Sequence, residues 1–299
     1  MEKKRNILQI DLSTKDYFFK SFPEINKYIG GEPVSLFLLR ELINTEPTSN
    51  YVSITTGPLC GVFPYTSKSV ITSYFKGHYK EYVGGGKIGS FMSLSYLDSI
   101  EFYNSSPTPV YIELVGKDIR FINAEESFNI DSLGLSGRRT KIQFSNEILS
   151  DDYFSYGEKN EFFPQNNLLG LVYSPQGEFY IPDIDNYNEV RRKVLDKESE
   201  LLVVKGTSPS CYGCPMGCAL SKNMENLNVS VLPRSLISCA YAEPIYNDIN
   251  LVFSCLQSLG FDYDHEFLEK FPGKIGDLNK SIKESIENYF KFSDSVNIK

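Results

Sequence analysis

Up to about Lys205 the apolar residues come in short runs rather than long ones. NILQIDLST, DYFFKSF, YVSITTG, SKSVITSYF, SIEFYNS, PVYIELVG and DIRFINA are β-branched or aromatic and end at Gly, Pro, Asn or Ser, the pattern of strands closed by turns. Two stretches depart from it. GEPVSLFLLRELI sets Pro33 in a first turn and Val34, Phe37 and Leu38 on one face, which predicts a helix. DNYNEVRRKVLDKE offers Asp185 and Asn186 as caps before Val190 and Val194 at helical spacing. After Cys218 the period becomes helical. NDINLVFSCLQSLG predicts a helix from a cap at Asp248 to a stop near Gly260, and DYDHEFLEKF predicts a short one bounded by Pro272. GDLNKSIKESIENYFKF aligns Leu278, Ile282, Ile286 and Phe290 on one stripe. The fold class is therefore α+β: a sheet-rich domain over 1–205, then a cysteine loop and a small helical domain over 206–299. The turns are too frequent for a βαβ array. No internal repeat is evident.

Composition narrows the function classes. With 299 residues, 41% hydrophobic and 23% charged, the chain can bury a sizeable core. A net charge of −8 gives no footprint for nucleic acid or an anionic membrane. The N-terminal MEKKRNILQIDLST has no signal-peptide core, and no apolar run is long enough to span a bilayer, so the protein reads as cytoplasmic. Six cysteines are too few for a disulfide scaffold. In a reducing compartment, clustered cysteines point to metal, redox chemistry or catalysis.

Three of them stand in PSCYGCPMGCALS, at Cys211, Cys214 and Cys218, on a loop loosened by Gly213, Pro215 and Gly217. Thiolates at this spacing suit an iron–sulfur cluster, and glycines let amides approach its sulfurs. Structural zinc would want a second knuckle, and no second Cys-x2-Cys or His pair is present. Zinc and unligated thiols remain as alternatives. A fourth ligand could come from Cys60, Cys239, Cys255, a non-cysteine group or another chain. Cys239 and Cys255, set among apolar residues on predicted helices, read as small buried hydrophobes, and Cys60 as structural. His78 and His265 read as surface residues.

The ordered segments YVSITTGPLCGVFPYTSKSVITSYF, YVGGGKIGSFMSLSYLDSIEF, PVYIEL, NLLGLVYSPQGEFYIP, CYGCPMGC and LQSLGFD resemble the aldehyde:ferredoxin oxidoreductase family. The resemblance implies a sheet-rich base domain and a tungstopterin or molybdopterin beside a [4Fe–4S] cluster. It also implies aldehyde oxidation with a ferredoxin-like electron carrier as acceptor. By position, Cys211, Cys214 and Cys218 would ligate the cluster. Gly85 and Gly86 would admit a pterin phosphate, Lys68 would stand where the family has Arg, and Gln257, Gly260 and Asp262 would form the pterin-binding motif.

The departures are equally specific. Val83 replaces a usual Asn, and LPRSLIS puts Arg234 where an active-site glutamate is expected. A second pterin motif, a fourth cluster cysteine and a metal-adjacent histidine from the family's later domain are not found. The chain thus reads as a short form that needs a different partner chain, since a homodimer would supply only copies of the same half. The alternative is a non-catalytic paralogue serving as an interaction, cofactor-handling or zinc-stabilised structural module.

Overall fold

The computed structural model describes residues 5–124, 128–200, 211, 214 and 231–296. Twelve strands among them form two six-stranded sheets. The first contains β1 (Asn6–Asp11), β2 (Tyr17–Ser21), β3 (Tyr51–Thr56), β4 (Ser69–Phe75), β5 (His78–Gly84) and β6 (Ser99–Tyr103). The second contains β7 (Val110–Val115), β8 (Asp118–Asn123), β9 (Thr140–Phe144), β10 (Glu147–Ser150), β11 (Phe154–Glu158) and β12 (Leu168–Ser174).

The orders are β2-β1-β6-β3-β4-β5 and β8-β7-β12-β9-β10-β11, so adding six to each strand number converts one sheet into the other. In both, an antiparallel hairpin comes first and the last strand inserts parallel to the first. The fold is thus an internal repeat of topology that the sequence does not display. The burial patterns explain why. β3 and β4 are buried on both faces, whereas their counterparts β9 and β10 alternate buried and partly exposed positions. One unit needs continuous apolar runs where the other needs alternation.

Leu8, Ile10, Val52, Ile54 and Phe102 of the first sheet share a core with Ile112, Leu114, Ile142 and Leu171 of the second. The opposite face of the first sheet carries the helices α1 (Gly31–Thr45), α4 (Val231–Leu236), α5 (Glu243–Tyr246), α6 (Ile249–Ser258) and α7 (His265–Val296) around a second core. Helix α2 (Ile88–Leu94) follows β5, and α3 (Ile184–Asp196) packs on α6. Between sheet and α1 runs a cross-strand row of polar residues: Gln9, Glu101, Ser53, Thr72 and Glu81. Ser35 of α1 reaches down to hydrogen-bond Thr72 and, at 3.4 Å, Ser53.

The α+β reading and the helical character after the cysteine loop agree with this architecture. Three local expectations change. The α3 cap is Asp183, whose carboxylate accepts from the Asn186 amide at 3.0 Å, rather than Asp185 or Asn186. The two last helices are one, running through Pro272. An internal proline costs about 3 kcal/mol, and here Leu268, Phe271, Ile275 and Leu278 are all buried around it, holding the helix together. Nor does the sequence predict helix α2, because its seven residues, opening next to a glycine run, carry too little periodicity. Among the described residues no helix is long and apolar enough to cross a membrane.

Candidate functional site

The turn from Gly57 to Lys68, which ends at one of the predicted residues, packs against α2 and the end of α6. It is tied to itself: the Thr66 hydroxyl donates to the Leu59 and Phe63 carbonyls at 2.9 Å, and the Cys60 thiol to the Lys68 carbonyl at 3.7 Å. On one side, α2 presses Gly89 onto it. A Cβ there would lie 2.8 Å from both Cys60 Sγ and the Lys68 oxygen. On the other side, Phe261 joins Thr56, Gly57, Pro58 and Cys60 around a cavity of only about 50 Å³. Burial pushes the Cys60 thiol up to about 11, against the hydroxyls of Thr56, Ser90 and Ser93, so it remains a protonated structural thiol, as expected.

Lys68 is buried at 4% exposure. The glycine loop lies at the end of β5, clasped by the second sheet. Tyr156 fills the space a side chain would need at Gly84, and its hydroxyl bonds Ser69 at 2.6 Å and the Gly85 carbonyl at 3.0 Å. Gly86, at a φ of 108°, faces the Ser150 hydroxyl, and the Lys87 amide donates to Asp151 at 3.2 Å. Gln257 and Asp262 are exposed, and Gly260, with a φ of 80°, ends α6 against Pro182. Gly89 and Phe261, neighbours in sequence of the two predicted groups, both reach the turn, and the space next to Gly84 and Gly86 is taken by the protein's own side chains.

The segment after the cysteine loop takes further glycine-lined surface. A side chain at Gly57 would collide with the Leu236 carbonyl, one at Gly30 with Pro58, and one at Gly31 with Ile237 and the Arg234 carbonyl. Ile237 packs with Val70 and Val83. Arg234 pairs with Glu32, a carboxylate only 1% exposed.

Of the loop cysteines, Cys211 and Cys214 are described and Cys218 lies outside the described residues. Both are partly exposed, and the Cys214 amide donates to the Cys211 carbonyl at 3.0 Å. Cys239 is not the buried helical residue that its apolar neighbours suggested. It stands partly exposed between α4 and α5, its amide bonded to the Tyr65 carbonyl at 2.6 Å. The Tyr241 hydroxyl is pushed up first by burial and then by the charges of Cys239 and Cys214, so both cysteines lie within electrostatic reach of one phenol. Cys255 is buried, as expected, and burial drives its thiol far above the ordinary range. His78 and His265 are exposed, as expected; His78 stacks on Phe162. Among the described residues no three His, Cys, Asp or Glu side chains cluster as for a metal ion.

Residues 7–141 match the family described as "Aldehyde ferredoxin oxidoreductase, N-terminal domain". Among solved structures, the fold superposes on "Active site complex BamBC of Benzoyl Coenzyme A reductase in complex with 1,5 Dienoyl-CoA" with a TM-score of 0.57 at 16% identity. The match covers 67% of this chain and 35% of that one, so the chain spans about a third of its neighbour's length. At that identity the likeness establishes the fold alone. No curated protein matches.

Proposed function

We propose that this chain, which carries an aldehyde ferredoxin oxidoreductase N-terminal domain, is a redox protein that holds a [4Fe–4S] cluster and works with a partner chain. The observation that carries this reading is the pair of partly exposed cysteines at Cys211 and Cys214, with a partly exposed Cys239 that, like Cys214, acts electrostatically on Tyr241. Cys211, Cys214 and Cys218 would ligate three irons and Cys239 the fourth. Bound, the cluster supplies one-electron transfer. The chain's own part is to present the thiolates, with the Tyr65 carbonyl fixing the Cys239 backbone. The partner chain and a ferredoxin-like carrier complete the proposal, supported by the neighbour's description as a complex.

A tungstopterin or molybdopterin at Lys68, Gly85, Gly86, Gln257, Gly260 and Asp262 does not fit the described arrangement. The glycine edges are filled: Tyr156 occupies the space at Gly84, Ser150 that at Gly86, and the 234–237 segment that at Gly31 and Gly57. Arg234 also cannot serve as a base where the family has a carboxylate, because a guanidinium stays protonated. We therefore assign aldehyde oxidation to no chemistry of this chain alone.

Anaerobically purified protein should be brown, contain iron and sulfide, and give a cluster signal by electron paramagnetic resonance after reduction. Cys214→Ser should bleach it, and Cys239→Ser should leave a three-iron signal. Colourless, iron-free protein would overturn the cluster, and stoichiometric zinc in its place would favour a structural module instead.

A further inference from the structure

A second cavity, of about 500 Å³, lies away from the cysteine loop, between α1 and the β2-β1-β6 end of the first sheet. Its size is that of a small-molecule site. Phe18, Phe22, Leu38 and Leu42 form an apolar wall, and Asp11, Glu41, Glu46 and Glu101 bring four carboxylates against the single ammonium of Lys20.

Glu101 is the centre of the site. It is 1% exposed, yet it lines the cavity. Its carboxylate is held by three donors: Tyr51 at 2.6 Å on Oε1, with Tyr103 at 2.8 Å and Gln9 at 3.0 Å on Oε2. Gln9 and Tyr103 line the cavity themselves, so the negative charge of Glu101 is presented to it through its own donors. The other acids are also held in place. Asp11 Oδ2 accepts from Asn104 at 2.9 Å, Glu46 Oε2 from Ser49 at 2.8 Å, and Glu41 Oε1 from Arg40 at 2.6 Å.

Two further observations point to a cation. The C-terminal end of α1 carries the negative pole of the helix dipole, where a base is favourable. The last turn holds no base, and Glu41 and Glu46 stand there instead. An ammonium of the chain itself already stands here: Lys20 Nζ lies 4.7 Å from the centroid of the Phe22 ring, and although burial raises the Glu101 carboxyl, its three hydrogen-bond donors and the Lys20 charge favour the carboxylate, as an arriving cation would. Aromatic faces attract such groups.

We propose that this cavity binds a primary organic ammonium ion with an apolar body, its charged end toward Glu101 and its body against Phe18, Phe22, Leu38 and Leu42. The inference is independent of the cluster and of the family's cofactors. Phenethylamine and its neutral analogue 2-phenylethanol test it by calorimetry on the full chain. The amine should bind at least about tenfold more tightly than the alcohol, equivalent to about 1.4 kcal/mol. Glu101→Gln should weaken the amine by about tenfold or more and leave the alcohol unchanged. Because Glu101 is buried and its variant could fail to fold, the exposed positions carry the same test. Glu46→Gln should weaken amine binding, and Lys20→Met, which removes the internal competitor, should tighten it. Equal affinities for amine and alcohol, no binding to the folded protein, or amine binding indifferent to both Glu46→Gln and Lys20→Met would overturn the proposal.

Discussion

Arg234 grips Glu32 at the first turn of α1, across 202 residues of chain, and the carboxylate it neutralises is 1% exposed. Removing one partner of such a pair leaves an uncompensated buried charge, which typically costs about 3–5 kcal/mol. Arg234→Met should therefore lower the urea midpoint strongly, toward the low end of that range because the guanidinium is one-third exposed. The double variant Glu32→Gln with Arg234→Met should recover most of the loss. A double variant as unstable as Arg234→Met alone would show that the arginine acts through packing.

Glu81 predicts a pH dependence. Burial raises its carboxyl to about 8, and Oε1 finds no donor among the described residues. Because the folded chain holds this proton more tightly than the unfolded chain, its contribution favours folding at low pH. That contribution is lost as pH rises from the ordinary carboxylate range through about 8. Thermal midpoints should fall over that window, and Glu81→Gln should flatten the slope and stabilise the protein above it. An unchanged slope in Glu81→Gln would remove Glu81 as the cause.

Gly57 pins the end of α4 to the turn, and a methyl group there would overlap the Leu236 carbonyl. Gly57→Ala should cost about 1–3 kcal/mol, as overpacking does. Hydrogen exchange should locate the effect in 231–237, and wild-type protection in that segment would contradict the contact.

Asp248 caps α6, accepting from the Asn250 amide at 3.1 Å and the Leu251 amide at 3.2 Å, with Lys197 Nζ at 2.8 Å. The lysine bond, with the amides, holds its carboxyl below the usual range, so its stabilisation is present at neutral pH and lost on acidification. Asp248→Ala should cost about 1–2 kcal/mol and Asp248→Asn less, since the amide still caps. Urea denaturation of the two variants should give that order.

These elements also show which features the sequence carries openly. The α6 limits were readable because a cap at Asp248 and a C′ glycine at Gly260 are local chemistry. The α+β class followed from the change of period after Cys218. Pro272 misled because its cost is met by tertiary burial of Leu268 and Phe271, which no local rule registers. For the site, the thiol spacing pointed to Cys211 and Cys214. The place of Cys239 depends on Tyr65, 174 positions earlier in the chain, offering its carbonyl. The filling of the glycine edges by Tyr156 and Ser150 likewise depends on how the two sheets meet.

The insertion of the last strand of each unit beside its first has a consequence for biosynthesis. β1 and β3 are neighbours in neither space nor pairing until β6 enters between them, and β7 and β9 wait in the same way for β12. A nascent chain that has delivered only β1 to β5 holds two detached ribbons, with the inner edges of β1 and β3 unpaired. Each sheet can close only when the ribosome has released roughly its final strand, since distant pairing must bear the loop-closure entropy first. Synthesis therefore passes through two separate intervals of open strand edges, one ending near Tyr103 and one near Ser174, at which a chaperone that covers such edges would act.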